Sequence, residues 1–427
     1  MQTNEKSNLE NQIPIKPAVS KEISVQAEAQ AIEKKIFWEN LEKALAQHGS
    51  PRPHWVLEMG SLDKNIEHIR SQLGRKVDIR LNAEALPNPS LLLYISEKLK
   101  TKKISICEAG FLTEIWQHPG FAGFDILYSS SLPPQMVQNL FTKIDSSLIP
   151  RALNQTAFLV GNIDEIVAWQ KVAASLKTPV KIFLNMVFGS SDFGFRKFSD
   201  LERALKRIEQ MKNAFSLQGI FISDGFEKNS PSWFSKWISR PETRYARTQS
   251  RILKVKEILR NSGFRSNPLV SGGASSTFSL HARGTHLDEI NLGSQFQFSP
   301  NPAAYLSAPV LGFENHFFRP FFGFLGPLFS NLFHPKDRLA LVPLSNKDFL
   351  IPLNSRKLGI QFAPLNKMIR ENHCHSQVWI PKSLNKKVGE PLVALPKNSR
   401  AMRNFNEVLL VRNGQVLGTS RNFQQRF

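Results

Sequence analysis

The sequence predicts an α/β protein, a (β/α)8 TIM barrel over residues 60–300 followed by a β-rich domain over residues 301–427. Three observations predict it. Between Val77 and Leu292, eight short apolar runs alternate with amphipathic helical stretches. The runs are apolar almost without interruption, as parallel strands buried on both faces must be. After Pro300 the rhythm gives way to short strand-like runs broken by Pro, Asn and Gly. An open doubly wound sheet is the alternative use of such units, but no GxGxxG follows an early strand.

In chain order, residues 1–30 are polar and read as a flexible tail. From Ala29 to Gln47, Ile32, Ile36, Phe37, Leu41 and Leu45 recur at helical spacing, and the helix stops at Gly49 ahead of Pro51 and Pro53. Trp55–Met59 reads as a strand, so residues 31–59 supply a helix and a strand expected to pack on the C-terminal domain. The eight barrel strands are Val77–Leu81, Ile104–Cys107, Asp125–Tyr128, Ala157–Val160, Val180–Val187, Leu217–Ser223, Pro268–Ser271 and Glu289–Leu292. Helical patterns separate them at Pro89–Lys100, Glu108–Gln117, Pro134–Ile144, Ile163–Leu176, Phe198–Phe215 and Thr248–Ser262. In the C-terminal domain the strand-like runs are Leu339–Pro343, Phe349–Pro352, Val378–Ile380, Glu407–Val411 and Gln415–Gly418. Asn413-Gly414 between the last two suits a type I′ hairpin turn.

Composition narrows the function classes. A chain with 41% hydrophobic and 10% aromatic residues can build a packed core, which excludes a disordered protein. Cys107 and Cys374 are the two cysteines, too few for a disulfide framework, and no basic-then-apolar leader opens the chain. No apolar run is long enough to span a bilayer, so a cytoplasmic protein is expected. The charge is strongly basic, with 55 Lys and Arg against 35 Asp and Glu. From Asn301 onward the count is 17 against 6, yet the cations are scattered singly. No basic helix stripe, zinc finger or aromatic RNA-binding signature concentrates them, which argues against a nucleic-acid or membrane-surface protein.

The most informative local motif is Gly272-Gly273-Ala274-Ser275-Ser276-Thr277, at the end of the seventh predicted strand. Glycines let backbone approach a ligand closely, and hydroxyls and free N–H groups at a helix start donate to an anion. Barrels commonly hold phosphate at this place. A plain glycine turn capped by Ser275 or Ser276 explains the same residues, and the two readings stand level.

Taken together in order and spacing, several segments carry a resemblance. They are Trp55–Met59 with Leu62 and Asn65, Leu86-Pro87-Asn88-Pro89-Ser90-Leu91-Leu92, Gly219–Gly225, the glycine turn, Gly293-Ser294 and Val388-Gly389-Glu390. On these the chain resembles the pyridoxal-phosphate barrel enzymes of the alanine racemase type, in the D-serine dehydratase and D-threonine aldolase branch, and an amino-acid deaminase-like subgroup in particular. The resemblance implies pyridoxal phosphate at the C-terminal barrel face, its phosphate on Gly273–Thr277, a small amino-acid or phosphate-bearing ligand, and a homodimer.

The same comparison exposes departures. The family's lysine, which condenses with the cofactor aldehyde, matches Glu84 in Arg80-Leu81-Asn82-Ala83-Glu84-Ala85-Leu86-Pro87. A carboxylate cannot make that bond. Lys76, Lys100, Lys102 and Lys103 are the lysines nearest in sequence, none an obvious substitute. A family tyrosine is replaced by Ser223-Asp224, and a family arginine by Asp192. The expected metal pair reads Asn398 and Arg400, so no metal is expected. Any bound pyridoxal phosphate would therefore be held non-covalently.

Two further segments complete the candidates. His373-Cys374-His375 carries metal-ligand side chains, and the resemblance makes His373 a pocket-facing candidate, while histidines at a strand start without metal are the plainer reading. Phe313–Phe333 holds eight phenylalanines broken by Pro320, Gly323, Gly326 and Pro327, which reads first as an insertion packed on the barrel or on a second subunit, second as a lid over an apolar ligand, and otherwise as a partner or membrane-surface contact. The expected function is a degenerate relative of these enzymes in amino-acid metabolism, with Glu84 and His373 as its site candidates beside the glycine turn. The alternatives are an active pyridoxal-phosphate lyase, aldolase or racemase acting on a D-amino acid, and a non-catalytic interaction module built on the Phe-rich insertion and basic surface.

Overall fold

The computed structural model describes residues 37, 39–49, 52–73, 77–188, 193–223, 241–264, 268–273, 277–314, 337–343, 361–362, 376–381, 385–396 and 399–423. A first helix, α1 (residues 39–48), precedes strand β1 (His54–Glu58) and helix α2 (Met59–Leu73). Barrel units then follow: β2 (Asp78–Asn82), α3 (Pro89–Leu99), β3 (Lys103–Ile106), α4 (Ala109–Gln117), β4 (Asp125–Tyr128), α5 (Pro134–Phe141), α6 (Ile149–Gln155) and β5 (Thr156–Val160). Next come α7 (Ile163–Leu176), β6 (Val180–Val187), α8 (Phe198–Gln210), β7 (Phe215–Ser223), α9 (Pro241–Asn261), β8 (Leu269–Gly272), α10 (Phe278–His281), β9 (Glu289–Leu292) and α11 (Ser294–Phe298).

Strands β2 to β9 pair in sequence order, all parallel, and β9 closes onto β2 with Asp78 opposite Glu289 and Leu81 opposite Leu292. The α/β barrel with a β-rich C-terminal region therefore stands as read from the sequence. Capping fixes where helices begin. Asn88 accepts from the Leu91 N–H at 2.9 Å ahead of Pro89, and Asn162 accepts from Glu165 N–H at 2.8 Å. The Glu165 side chain returns to Gly161 N–H at 2.7 Å.

Three expectations change in detail. The helix expected over Phe198–Phe215 ends at Gln210, and Phe215 opens β7 instead. The helix expected from Thr248 begins at Pro241, and α6 was hidden inside a stretch with no clear period. Strands β10 (Ala304–Pro309), β11 (Gly312–Glu314), β13 (Gln361–Phe362) and β15 (Pro391–Ala394) have no counterpart in the sequence reading, being short and partly Pro-bounded.

Outside the barrel, β12 (Asp337–Val342), β14 (Ser376–Pro381), β16 (Glu407–Arg412) and β17 (Gln415–Arg421) complete two sheets, ordered β15-β10-β1-β16-β17 and β11-β12-β14-β13. β1 runs antiparallel to β10 and parallel to β16, so a strand from the start of the chain lies in the middle of a sheet otherwise made from its end. Phe313 sits in β11; the remainder of the Phe-rich insertion lies outside the described residues.

The barrel lumen is chemically divided. Leu127, Ala157, Leu159 and Phe183, with Phe193, Phe221 and Leu269, pack an apolar side from β4 to β8. Across from it, β8, β9, β2 and β3 line the lumen with polar side chains. Arg80, fully buried, donates through Nε to Glu289 Oε1 at 2.6 Å and through Nη2 to Asp125 Oδ2 at 2.9 Å. Its Nη1 reaches the Ile104 and Asp125 carbonyls at 3.0 Å each. Lys103 adds a second cation, 3.1 Å from Glu289 and 2.7 Å from Asp78. Burial works against both charges of the central pair. The facing charges prevail, holding Arg80 above its ordinary value and Glu289 below the usual carboxylate range.

Candidate active site at the barrel mouth

The site is built where β2 and β8 end. Asn82, the last residue of β2, turns the chain by accepting from the N–H groups of Glu84 at 2.9 Å and Ala85 at 3.1 Å. That turn swings Glu84 toward β3, where its Oε1 accepts from the Cys107 N–H at 3.1 Å. Glu84 is 6% exposed, so its carboxylate is held rather than free to wander in solvent. Tyr128, at the end of β4, donates its hydroxyl to the Cys107 carbonyl at 2.9 Å. Burial first, and then the negative charges of Glu84 and Glu108, push the Tyr128 phenol up to about 12. Glu108 is itself ion-paired to Arg403 from the C-terminal domain.

On the other side, Ser271 of β8 donates to Glu289 Oε1 at 2.7 Å. Its hydroxyl proton is thereby used, so it accepts from Asn291 Nδ2 at 3.1 Å. Among the described residues Asn291 Oδ1 then has no hydrogen-bond partner, in a side chain only 7% exposed. Gly273 follows at φ +84°, a left-handed conformation costly to a residue with a Cβ, and a Cβ there would stand 3.1 Å from Ile290 Cγ2. Thr277 and His281 are buried just beyond, His281 Nδ1 lying 2.9 Å from Thr285 Oγ1 and 3.2 Å from the Tyr245 hydroxyl. The two ends meet through β9. A Cβ on Gly293 would collide with Ala85 Cβ and stand 3.1 Å from Asn82 Cβ, so only glycine allows the β2 turn to close over β9.

The structure thus brings Glu84 and the turn residues Gly272, Gly273 and Thr277 to the same, C-terminal end of one barrel, separated by β9. Ala274, Ser275, Ser276, His373, Asp192, Asp224 and Asn398 lie outside the described residues, and of Arg400 only the backbone, in a short helical turn, is described. The expected helix after the glycine turn is four residues long, Phe278–His281, so a helix dipole adds little there and close backbone approach is what remains of the anion argument. Lys103 points away from the mouth, toward Asp78 and Glu289 at the N-terminal end of the lumen, and Lys100 caps α3. Neither reaches the mouth. Sequence reasoning missed Tyr128, Asn82, Asn291 and Ser271, whose roles depend on neighbours from other strands.

Among the described residues no three His, Cys, Asp or Glu side chains gather to hold a metal ion, and no helix is long and apolar enough to cross a membrane. An open groove of about 1230 Å³ begins at Glu108 and runs outside the barrel past Phe111, His118 and Met136 to Arg403 and Arg421.

Fold and mouth together define the class: a parallel (β/α)8 barrel with a glycine turn at the C-terminal end of β8 and a β-rich second domain. Residues 134–296, from α5 through α11, match the family model described as alanine racemase, N-terminal domain. The match covers the second part of the barrel, in line with the resemblance stated from the sequence. Among solved structures, D-threonine aldolase from Filomicrobium marinum is similar at a TM-score of 0.64 and 14% identity, over 86% of this chain and 94% of that one. D-threo-3-hydroxyaspartate dehydratase from Delftia sp. HT23 gives 0.62 and 16% over 87% and 97%. Alanine racemase from Bacillus anthracis, with bound L-Ala-P, gives 0.59 and 13% over 87% and 98%. These identities establish a shared fold. A search of curated proteins found no match. The matched segment contains the glycine turn but not Glu84.

Proposed function

We propose that the barrel mouth binds a phosphate-bearing small molecule of the pyridoxal-phosphate type without covalent attachment, and that the chain is a catalytically degenerate relative of amino-acid racemases, aldolases and dehydratases. The fit of that cofactor is divided. Its phosphate end is assigned to the Gly272–Gly273 turn by that turn's place at the C-terminal end of β8, where the missing Cβ atoms make room for Ile222 and Ile290. Its aldehyde end does not suit Glu84, which offers a carboxylate where a nucleophilic amine is needed. The observation that carries the reading is Glu84 itself. The Asn82 turn and the Cys107 N–H hold it in place, so the departure from a lysine is a built feature of the mouth.

The test is calorimetric titration of the purified chain with pyridoxal phosphate, followed by borohydride reduction and peptide mass spectrometry. Saturable binding with no lysine adduct is expected. A reduced adduct on any lysine at the mouth would overturn the degenerate reading in favour of an active lyase, aldolase or racemase. The homodimer expectation is checked in the same preparation by analytical ultracentrifugation.

A further inference from the structure

The wall of the mouth beside the glycine turn, on β9, β2 and β3, carries polar atoms able to accept hydrogen bonds. Glu84 contributes a carboxylate. Among the described residues Asn291 Oδ1 is an acceptor without a partner, its orientation fixed by the Ser271 hydroxyl, and Ser105 Oγ, 1% exposed, has none either. Register shows that these two face the lumen. Arg80 reaches across the lumen from β2 to Glu289 and Asp125, and Asn291 pairs with Arg80, so Asn291 shares its face. Asn82, two residues on, is paired with Ser105. Both unpartnered atoms therefore open into the barrel between β9, β2 and β3, below the turn that carries Glu84.

Unmet buried acceptors are costly, and a carboxylate beside them favours a ligand that brings N–H donors and positive charge. Beyond β9, the glycine turn favours the opposite sign. β8 and β2 are two strand spacings apart, about 10 Å, which one small molecule can span.

We infer that the mouth selects a phosphorylated primary amine over the corresponding aldehyde, the ammonium group donating to Glu84 and the acceptors below it while the phosphate lies on the Gly272–Gly273 turn. The inference rests on the phosphate-pocket reading above and deepens it. Exchange of lysine for glutamate at position 84 does more than remove a nucleophile. It reverses the charge of that wall, so the site no longer retains a carbonyl and instead retains an amine.

The experiment compares three probes by calorimetry near neutral pH: pyridoxamine 5′-phosphate, pyridoxal 5′-phosphate and inorganic phosphate. The amine should bind roughly tenfold or more tightly than the aldehyde, the scale of one charge-assisted hydrogen bond. Glu84→Gln, which keeps the shape and removes the charge, should collapse that preference. Glu84→Lys should reverse it, with a yellow colour appearing on addition of the aldehyde and fixed by borohydride. Equal affinity of the wild-type chain for amine and aldehyde would overturn the inference and leave the phosphate pocket standing, as would an undiminished preference in Glu84→Gln. Failure of all three probes to bind would overturn both.

Discussion

Replacing Arg80 by Met should be among the most damaging single changes in the barrel. Every N–H of its guanidinium is used, on Glu289 at 2.6 and 3.1 Å, on the Asp125 carboxylate at 2.9 Å, and on the carbonyls of Ile104 and Asp125 at 3.0 Å. Met fills similar space but leaves Glu289, itself 0% exposed, with only Lys103 and the Ser271 hydroxyl to face its charge. Removing one partner of a buried ion pair costs about 3–5 kcal/mol, because the other charge stays desolvated. The pH dependence sharpens the test. In the wild type Glu289 is held below its unfolded value, so its contribution is present above the ordinary carboxylate range and is lost as pH falls through the folded value. In Arg80→Met, burial dominates and raises the Glu289 value. Its penalty is then felt near neutrality and relieved on acidification. Urea denaturation of both proteins at pH 7 and pH 5 reads this directly. A midpoint unchanged at pH 7, or a variant that loses stability on acidification as the wild type does, would refute the argument. The double variant Arg80→Met with Glu289→Met should recover much of the loss, since it removes the orphaned charge.

Gly273→Ala should lose about 1–2 kcal/mol from the left-handed conformation alone, and should weaken phosphate binding further as Ile290 is crowded. Thermal unfolding and phosphate titration separate the two effects. Asn88→Ala removes the cap of α3 together with bonds to the Arg421 carbonyl and Asn422, so a loss of about 1–2 kcal/mol is expected, with earlier proteolysis at the C-terminus. In spectrophotometric titration, Tyr128→Phe should remove a phenol that ionises only near pH 12, and Glu84→Gln should bring that transition to lower pH by removing a nearby negative charge.

The barrel was legible because its periodicity is local. The runs at Asp125–Tyr128, Val180–Val187 and Glu289–Leu292 coincide with the observed strands, each short and largely buried, although Glu289 and Asn291 interrupt the apolar pattern of the last. Glu84 was legible through its place in a motif, and the glycine turn through Gly272-Gly273. Illegible were the partners. Nothing local to Arg80 announces that it meets Glu289, 209 residues away, and nothing local to Asn291 shows that its oxygen is unmet while its nitrogen serves Ser271.

By itself, then, the sequence determined the eight-unit rhythm, the glycine turn after β8 and the carboxylate at position 84, because propensity, period and backbone freedom are properties of neighbouring residues. Tertiary structure decided which strand ends share the mouth, which charges are neutralised inside the lumen and which acceptors are left open. Those depend on closure of β9 onto β2, a contact between residues more than two hundred positions apart. In such a closed sheet, side chains with ordinary sequence surroundings become a buried ion network around Arg80 and, among the described residues, leave Asn291 Oδ1 and Ser105 Oγ unpartnered.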